Sequence, residues 1–163
     1  MTTPLIDEDC VLVGVEAASS TELLSRMADD LAERGYVAPS FRDALLAREE
    51  KYPTGLPTNV LKVAIPHTDP EHVHRSFISV ARLARPVAFH EMGNNDATVA
   101  VELVFVLAIA DGKSQLGTLQ SLIGMFSDEP TMVRLRDAED GAALYAVVQE
   151  RIGDLGRDDP PTP

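Results

Sequence analysis

The apolar and polar positions of this chain follow two different periods, and together they predict strands that alternate with helices. Apolar runs of strand length occur at residues 10–15, 60–65, 77–83, 87–89 and 99–109. The run at 99–109 is the most hydrophobic stretch of the chain, which predicts a strand at the centre of a sheet. The run at 87–89 is short, so we expect it to form a short strand or an edge piece.

Apolar residues three or four positions apart predict helices in the remaining segments. The first helix begins at a capping box, in which Ser19 precedes Glu22 by three residues, and it stops at Gly35. The same spacing predicts further helices at residues 40–50, 113–126, 131–135 and 144–152. Because strands and helices alternate, we expect one α/β domain, with a mixed β-sheet flanked by helices on both faces.

The length of the chain and its last residues set the expected domain boundary. A chain of 163 residues, of which 45% are hydrophobic, has the size of a single domain with one buried core. Residues 153–163 hold three prolines and no periodic apolar pattern, so we expect a disordered tail there. The domain is therefore expected to span residues 1–152.

Charge and composition exclude several classes of function. The formal net charge of −12 opposes binding to nucleic acid and to anionic membranes, because both need a basic surface. The longest apolar run, at 103–110, is too short to cross a membrane, and the N-terminus lacks the order of a signal peptide. Cys10 has no second cysteine to pair with, which predicts a buried thiol. We expect a soluble, cytoplasmic protein.

His67 is the residue that most suggests chemistry. The apolar run ending at Ile65 predicts a buried strand, and Pro66 stops that strand because it donates no hydrogen bond and has a fixed φ. The imidazole of His67 is therefore delivered at a rigid strand end, a geometry that suits a nucleophile or a ligand. From the residues alone, an inert histidine in a loop explains this position about equally well.

A sheet of parallel neighbours would give His67 a partner group. If the strands ending at Ile65 and Ile109 are adjacent and parallel, their carboxyl ends open on one crevice. A helix starting near Lys113 would then point its N-terminus, with free N–H groups and the positive end of its dipole, into that crevice. Lys113 and Gln115 would lie close to a group attached to His67. We therefore hypothesise that His67 carries a phosphoryl group as a phosphoramidate.

A metal site is an alternative interpretation of the histidines. Its ligands would come from the four histidines and nearby carboxylates of the chain, which are His67, His72, His74 and His90 with Asp69, Glu71 and Glu91. On an extended segment, however, the rings of His72 and His74 would point to opposite sides, which is poor for joint ligation. A metal-dependent enzyme is therefore the weaker hypothesis.

Two further motifs, a nucleotide-binding loop and a hydrolase triad, fit this sequence less well. The segment Gly112-Lys113-Ser114 follows an apolar strand and precedes a helix, as the end of a phosphate-binding loop does. The first glycine of that loop would have to be residue 107, which is leucine. A hydrolase triad has no support, because the chain contains no G-x-S-x-G elbow.

The motifs around His67 resemble those of one known family. Arg48-Glu49, Thr54-Gly55-Leu56 and the segment 63–69 (Val-Ala-Ile-Pro-His-Thr-Asp) occur in that order. Together they resemble the fructose/mannitol superfamily of enzyme IIA domains of the sugar phosphotransferase system (PTS). The continuation from residue 80 through Lys113-Ser114-Gln115 is most similar to the galactitol-type branch, and the resemblance covers residues 20–152.

The resemblance implies a phosphohistidine carrier, which is a phosphotransferase that needs no metal or other cofactor. In such a carrier His67 would accept a phosphoryl group from the phosphocarrier HPr and pass it to a cysteine of an enzyme IIB partner. Arg48 matches an arginine that would steady the phosphoryl oxygens, and Thr54 matches a position beside the same site. Mannitol- and fructose-type members have a second histidine just after the strand that ends here at Ile109. This chain has Gln115 in that region instead, so a proton-handling role there is in doubt.

The partners and the physiological role define two further expectations. We expect the partners to dock on an apolar rim around His67, formed for example by Leu56, Ile65 and Val73, with basic residues of their own. A regulatory protein of the IIA type, whose phosphorylation controls another protein, would use the same histidine and is an open alternative to a role in sugar uptake.

Overall fold

A long hairpin forms the middle of the sheet in the computed structural model, which describes residues 5–152. The five strands are β1 (Val11–Val15), β2 (Gly55–Leu56), β3 (Val63–Ala64), β4 (Phe77–Glu91) and β5 (Asn94–Ala108). β4 and β5 are antiparallel and joined by a tight turn, β1 runs parallel to β4, and β3 runs parallel to β5. β2 is antiparallel to β3, so the sheet is mixed, as predicted.

The helices begin and end close to the predicted positions. They are α1 (Ser20–Glu33), α2 (Ser40–Lys51), α3 (Gly112–Phe126), α4 (Glu129–Asp137) and α5 (Gly141–Ile152). Ser19 caps α1, since its hydroxyl accepts a hydrogen bond of 3.1 Å from the N–H of Glu22. Gly35 follows the end of α1 with φ +86°, a left-handed conformation that glycine adopts at no steric cost.

Two hydrophobic cores lie on opposite faces of the sheet, which explains why β5 is apolar throughout. Its alternate residues Leu103, Phe105 and Leu107 pack with α3, α4 and α5, while Val104 and Val106 pack with α1 and α2. Both faces of the strand are therefore buried, and both carry helices. The predicted fold class, a mixed sheet with helices on both sides, is confirmed.

Some predicted boundaries were wrong. The apolar run at 60–65 gives a strand of only two residues, β3, because Val60 has φ +72° and turns the chain before it. The segment at 87–89 is no separate strand but the second half of β4. The run at 99–109 is likewise only part of a longer strand, since β5 already begins at Asn94, directly after a short turn.

Cys10 is buried, as predicted, although it lies in a short 3₁₀ turn before β1 and not in the strand itself. Its side chain is 1% exposed, and burial raises the pKa of its thiol to about 11. Within residues 5–152, no helix is both long and apolar enough to cross a membrane. The expected disordered tail at 153–163 lies outside the part of the chain that the structure describes.

Candidate functional site

His67 lies where two parallel strands end together. The carbonyl of Pro66 accepts a hydrogen bond of 2.9 Å from the N–H of Leu107, and His67 itself forms a parallel bridge with Leu107. The prediction that the strands ending near Ile65 and Ile109 are parallel neighbours is therefore confirmed. This pairing fixes the backbone of His67 against the central strand of the sheet.

The ring of His67 is held by one nitrogen. Its Nδ1 lies 2.8 Å from the carbonyl oxygen of Ile65. A carbonyl oxygen only accepts hydrogen bonds, so Nδ1 carries the hydrogen of the neutral ring and Nε2 keeps a lone pair. Burial lowers the pKa of His67, and the positive charge of Arg48 lowers it further, against the opposing effects of Ile65 and Asp69. The neutral, nucleophilic form is thus favoured at neutral pH.

Arg48 supplies a cation beside this ring. It is in the last turn of α2, where its Nη1 lies 3.3 Å from Oδ1 of Asp69, two residues after His67. Its guanidinium also lies 5.0 Å from the ring centroid of Tyr52. The side chain of Arg48 is 38% exposed, so its unused N–H groups can reach a bound anion.

Half-buried Glu49 and buried Thr54 form a hydrogen-bonded pair behind His67. Oε2 of Glu49 accepts the backbone N–H of Thr54 and Oε1 accepts its hydroxyl, each at 2.8 Å. The Thr54 hydroxyl in turn accepts the N–H of Ile65 at 3.2 Å. Thr54 is 3% exposed, and burial raises the pKa of Glu49 to about 7. In the sequence, Glu49 stands out only as part of the Arg48-Glu49 motif, because the pattern of α2 does not show that this carboxyl turns inward.

The glycine after Thr54 is required by a close backbone contact. A Cβ atom at Gly55 would lie 2.6 Å from the carbonyl oxygen of His90, closer than such atoms approach one another. β2 therefore lies directly against the end of β4, where Gly55 pairs with Glu91. This contact holds the loop that carries Thr54 in place.

The N-terminus of α3 reaches the site through Gln115. The Nε2 of Gln115 donates a hydrogen bond of 2.9 Å to the carbonyl of Thr68, the residue after His67. Lys113 is exposed in the first turn of α3, and it is not among the charges that shift the pKa of His67. The N-cap carboxylate of Asp111 already accepts the N–H of Ser114, at 2.8 Å, so part of the anion-binding capacity expected of this helix end is internally satisfied.

Two expectations about the surroundings of His67 differ from the structure. Ile65 is 1% exposed, so its place in a docking rim was wrong: it lies on the same side of the sheet as Val63 and packs into the core. Among residues 5–152, no three histidine, cysteine or acidic side chains lie close enough together to hold a metal ion. His72, for example, pairs through Nδ1 with the hydroxyl of Ser40 at 2.8 Å.

Residues 4–151 match the family model of the phosphoenolpyruvate-dependent sugar phosphotransferase system, EIIA 2. The chain belongs to this EIIA 2 family. The resemblance seen in the motifs around His67 is thereby confirmed, and this EIIA 2 domain is a phosphotransfer component.

Curated relatives and solved structures agree with the family. The galactitol-specific EIIA component of Escherichia coli K12 is 32% identical over 111 residues, which cover 68% of this chain and 73% of that protein. The transcriptional regulator ManR of Bacillus subtilis is 29% identical over 134 residues, covering 82% of this chain and 18% of the regulator.

One similar solved structure is that of a complex. It contains enzyme IIAMTL and phosphorylated enzyme IIBMTL from Escherichia coli, and the match has a TM-score of 0.71 at 22% identity, covering 90% of this chain and all of the matched chain. At this identity the likeness shows that the EIIA 2 domain shares a fold with that chain.

Proposed function

We propose that His67 carries a phosphoryl group between two protein partners in the uptake of a sugar alcohol similar to galactitol. The observation that carries this proposal is the hydrogen bond from Nδ1 of His67 to the carbonyl of Ile65, which leaves Nε2 as the free nucleophile. The family supports the phosphotransfer chemistry, and the galactitol-specific relative supports the class of sugar.

The transfer has two steps. In the first, Nε2 of His67 attacks the phosphorus of phosphorylated HPr, so that a P–N bond forms on His67 while the donor's P–N bond breaks. In the second, a thiolate of an enzyme IIB partner attacks the same phosphorus, a P–S bond forms, and the ring of His67 leaves as the neutral imidazole with its hydrogen still on Nδ1. The energy arrives in the donor's P–N bond, so the proposal includes no cofactor.

The residues around the ring would stabilise the charge in transit. Arg48 would exchange part of its contact with Asp69 for the phosphoryl oxygens, since a guanidinium binds such oxygens through two parallel N–H groups. Lys113 would add a mobile positive charge from the first turn of α3. Gln115 and Thr54, expected to touch the phosphoryl group, would act mainly by holding the backbone on either side of His67.

The surface around the site suits basic partners with an apolar patch. The net charge of −12 would attract a positively charged partner and speed its approach. Tyr52 beside Arg48 is 55% exposed and Leu116 beside Gln115 is 58% exposed, so both would contact a docked protein better than Ile65 could. A IIB partner is supported by the similar fold of IIAMTL in its complex with IIBMTL.

Regulation is the second candidate function. The observation that favours it is the similarity to the regulator ManR, which covers 82% of this chain. The same phosphorylation of His67 would then change the binding of another protein. Transfer from the phosphorylated domain to a purified galactitol-type IIB protein separates the two roles, because a purely regulatory domain would keep its phosphoryl group.

Intact-mass measurement tests the carrier role directly. After incubation with enzyme I, HPr and phosphoenolpyruvate, the wild-type protein should gain one phosphate that is lost in acid, as expected for a P–N bond. His67→Ala should gain none, whereas His74→Ala, which changes an exposed histidine of the same loop, should behave like the wild type. Arg48→Ala should fold normally and take up phosphate about 10- to 100-fold more slowly, because one charge-assisted contact is lost.

Phosphate that remains on His67→Ala would place the acceptor elsewhere and overturn the proposal. The same would follow if the wild type gained no phosphate while a known IIA protein, added as a positive control, was phosphorylated in the same mixture.

A further inference from the structure

We propose that Glu49 is a positioning residue for His67, acting through Thr54 and the backbone of Ile65. Its effect on phosphoryl transfer rests on the function proposed above, whereas its effect on the ring of His67 does not. No direct contact joins Glu49 to His67 among the hydrogen bonds within residues 5–152, so the carboxyl would act through a chain of intermediates.

The chain of contacts is continuous and short. Glu49 accepts both the N–H and the hydroxyl of Thr54, Thr54 accepts the N–H of Ile65, and the carbonyl of Ile65 accepts Nδ1–H of His67. Ile65 precedes Pro66, which has no N–H, so the bond from Ile65 to Thr54 is the anchor on the N-terminal side of the ring. On the other side, the carbonyl of Pro66 is anchored by Leu107.

Burial makes these contacts consequential. Thr54 is 3% exposed and Ile65 is 1% exposed, so neither can replace a lost partner with bulk water without the structure opening. A carboxylate that accepts two donors from one residue fixes both the position and the rotation of that residue. Thr54 is thereby held with one lone pair of its hydroxyl facing the N–H of Ile65.

Glu49 acts through position and not through its own charge. The charges that shift the pKa of His67 are those of Arg48 and Asp69, and Glu49 is not among them. Protonation of Glu49 would nevertheless weaken this series of hydrogen bonds, since the protonated carboxyl has one oxygen that no longer accepts a hydrogen bond freely. Because burial raises the pKa of Glu49 to about 7, this change falls near neutral pH.

A cavity lies beside Glu49. It has a volume of about 310 Å³ and lies between the start of α1, the end of α2 and the end of β4. The titratable groups that line it with Glu49 are Glu50 from α2 and His90 from β4, while α1 contributes Ser20, Thr21 and Leu24. Water in this cavity would exchange protons with the carboxyl of Glu49, both oxygens of which also accept hydrogen bonds from Thr54.

The first test is ¹⁵N NMR of the His67 ring, which needs no partner protein. In the wild type at pH 8 we expect a protonated Nδ1 with a slowly exchanging hydrogen and an unprotonated Nε2. In Glu49→Gln one of the two Thr54 donors faces an amide N–H₂ group, which cannot accept its hydrogen bond. The carbonyl of Ile65 should then hold the ring less firmly, so the ring should show a mixture of tautomers and faster exchange at Nδ1. Glu50→Gln is the matched control, because it makes the same change at the adjacent, exposed residue.

The second test is the rate of phosphoryl transfer from phosphorylated HPr. Glu49→Gln should lower kcat by about 10- to 100-fold and leave KM nearly unchanged, because the docking surface is intact while the ring is misplaced. Thr54→Ser keeps the hydroxyl and should retain most of the activity, whereas Thr54→Val should be as slow as Glu49→Gln. This pair of variants tests the link from Thr54 to Ile65 even if Glu49→Gln does not fold.

The outcomes separate the two proposals. A Nδ1–H signal and a kcat in Glu49→Gln that match those of Glu50→Gln would overturn the positioning role. A wild type that accepts no phosphoryl group would overturn the carrier function, yet the NMR comparison would still decide whether Glu49 orients the ring. Should both Glu49→Gln and Thr54→Val fail to fold, Glu49→Asp takes their place, because its shorter side chain cannot bring both carboxylate oxygens to the two donors of Thr54. The Nδ1 hydrogen of His67 should then exchange faster than in Glu50→Gln, and equal exchange in the two variants would refute the proposal.

Discussion

Glu49 and His67 illustrate how burial acts on acids and bases in opposite directions. Burial disfavours the charged form of each group, so it raises the pKa of the Glu49 carboxyl and lowers the pKa of the His67 ring. Near pH 7 the ring of His67 is therefore mostly neutral, while the carboxyl of Glu49 exchanges between its protonated and its ionised form. The neutral ring of His67 keeps a lone pair on Nε2. The hydrogen bonds from Thr54 to Glu49 become sensitive to small changes in pH.

The dependence of stability on pH gives a prediction at the residue scale. The pKa of Glu49 is raised from 4.5 to about 7 in the folded state, so between these values the folded protein binds the extra proton and the free energy of unfolding falls as pH rises. His67 acts in the opposite direction: its pKa is lowered from 6.5, so its contribution is lost as pH falls below that value.

The variant Glu49→Gln removes only the first of these two effects. Relative to the wild type it should gain stability as pH rises from 5 to 8, by at most about 3 kcal/mol for a shift of this size. Urea unfolding of both proteins at several pH values measures the difference. A difference that does not change with pH would show that the carboxyl of Glu49 titrates normally, and Glu50→Gln serves again as the control.

Sequence patterns located His67 but could not supply its supporting contacts. Pro66 after an apolar run was enough to predict a fixed imidazole, because both features are local. The inward turn of Glu49 depends on a partner, Thr54, in the following loop, and no periodicity of α2 encodes it. Ile65 was placed in the docking rim by its nearness to His67, although alternation along the strand puts it on the buried side with Val63.

At the scale of elements, β4 shows why boundaries were harder to predict than the fold. Arg85 and Pro86 interrupt the apolar pattern, which suggested that one strand ended and another began. The structure keeps a single strand, Phe77–Glu91, and absorbs the interruption as a shift of register against β5 between Arg82 and Val87. A proline is tolerated in a strand at such a bulge, because no ladder hydrogen bond is required there.

The cap of α3 gives a prediction at the element scale. Asp111 caps this helix with a hydrogen bond from the N–H of Ser114, and this bond lowers the pKa of the Asp111 carboxyl. Asp111→Ala should therefore destabilise the protein by about 1 kcal/mol, while Asp111→Asn keeps an acceptor and should cost less. Urea unfolding at pH 7 measures both values. Equal stability of all three proteins would mean that the cap contributes nothing.

The same substitution has a consequence at the site. Frayed residues at the start of α3 would loosen Gln115 from the carbonyl of Thr68, next to His67. Asp111→Ala should thus raise the backbone mobility of Thr68 in NMR relaxation, which the more distant cap variant Ser19→Ala should leave unchanged. If both variants left Thr68 equally rigid, the contact with Gln115 would have no role in ordering the loop.

At the scale of the whole molecule, the two cores are joined by one sheet. Alternate residues of β4 and β5 belong to different cores. If α1 and α2, or α3, α4 and α5, detached from the sheet, one apolar face of these strands would be exposed to water. The apolar runs of the sequence predicted this arrangement well, because a strand buried on both faces is recognisable from composition alone. We therefore expect the two faces to unfold in one cooperative transition.

Cys10 can report on that transition, because it lies in the core on the α1 and α2 face and no other cysteine competes with it. With a pKa of about 11 in place of 9.0, its thiolate fraction at pH 8 is about 100-fold lower in the folded protein than in the unfolded chain. Alkylation should therefore be negligible without denaturant and rise with the fraction unfolded. Cys10→Ser should take up no label and sets the background.

The decisive comparison is between labelling and circular dichroism across a urea titration. Circular dichroism reports the helices of both faces, whereas alkylation reports only the core that holds Cys10. Because β4 and β5 serve both cores, the midpoints of the two curves should coincide. Labelling that is complete at a lower urea concentration than the loss of helix signal would mean that α1 and α2 open separately. The loop between α2 and β2, which carries Thr54, would then lose its support from α2 before the rest of the site unfolds.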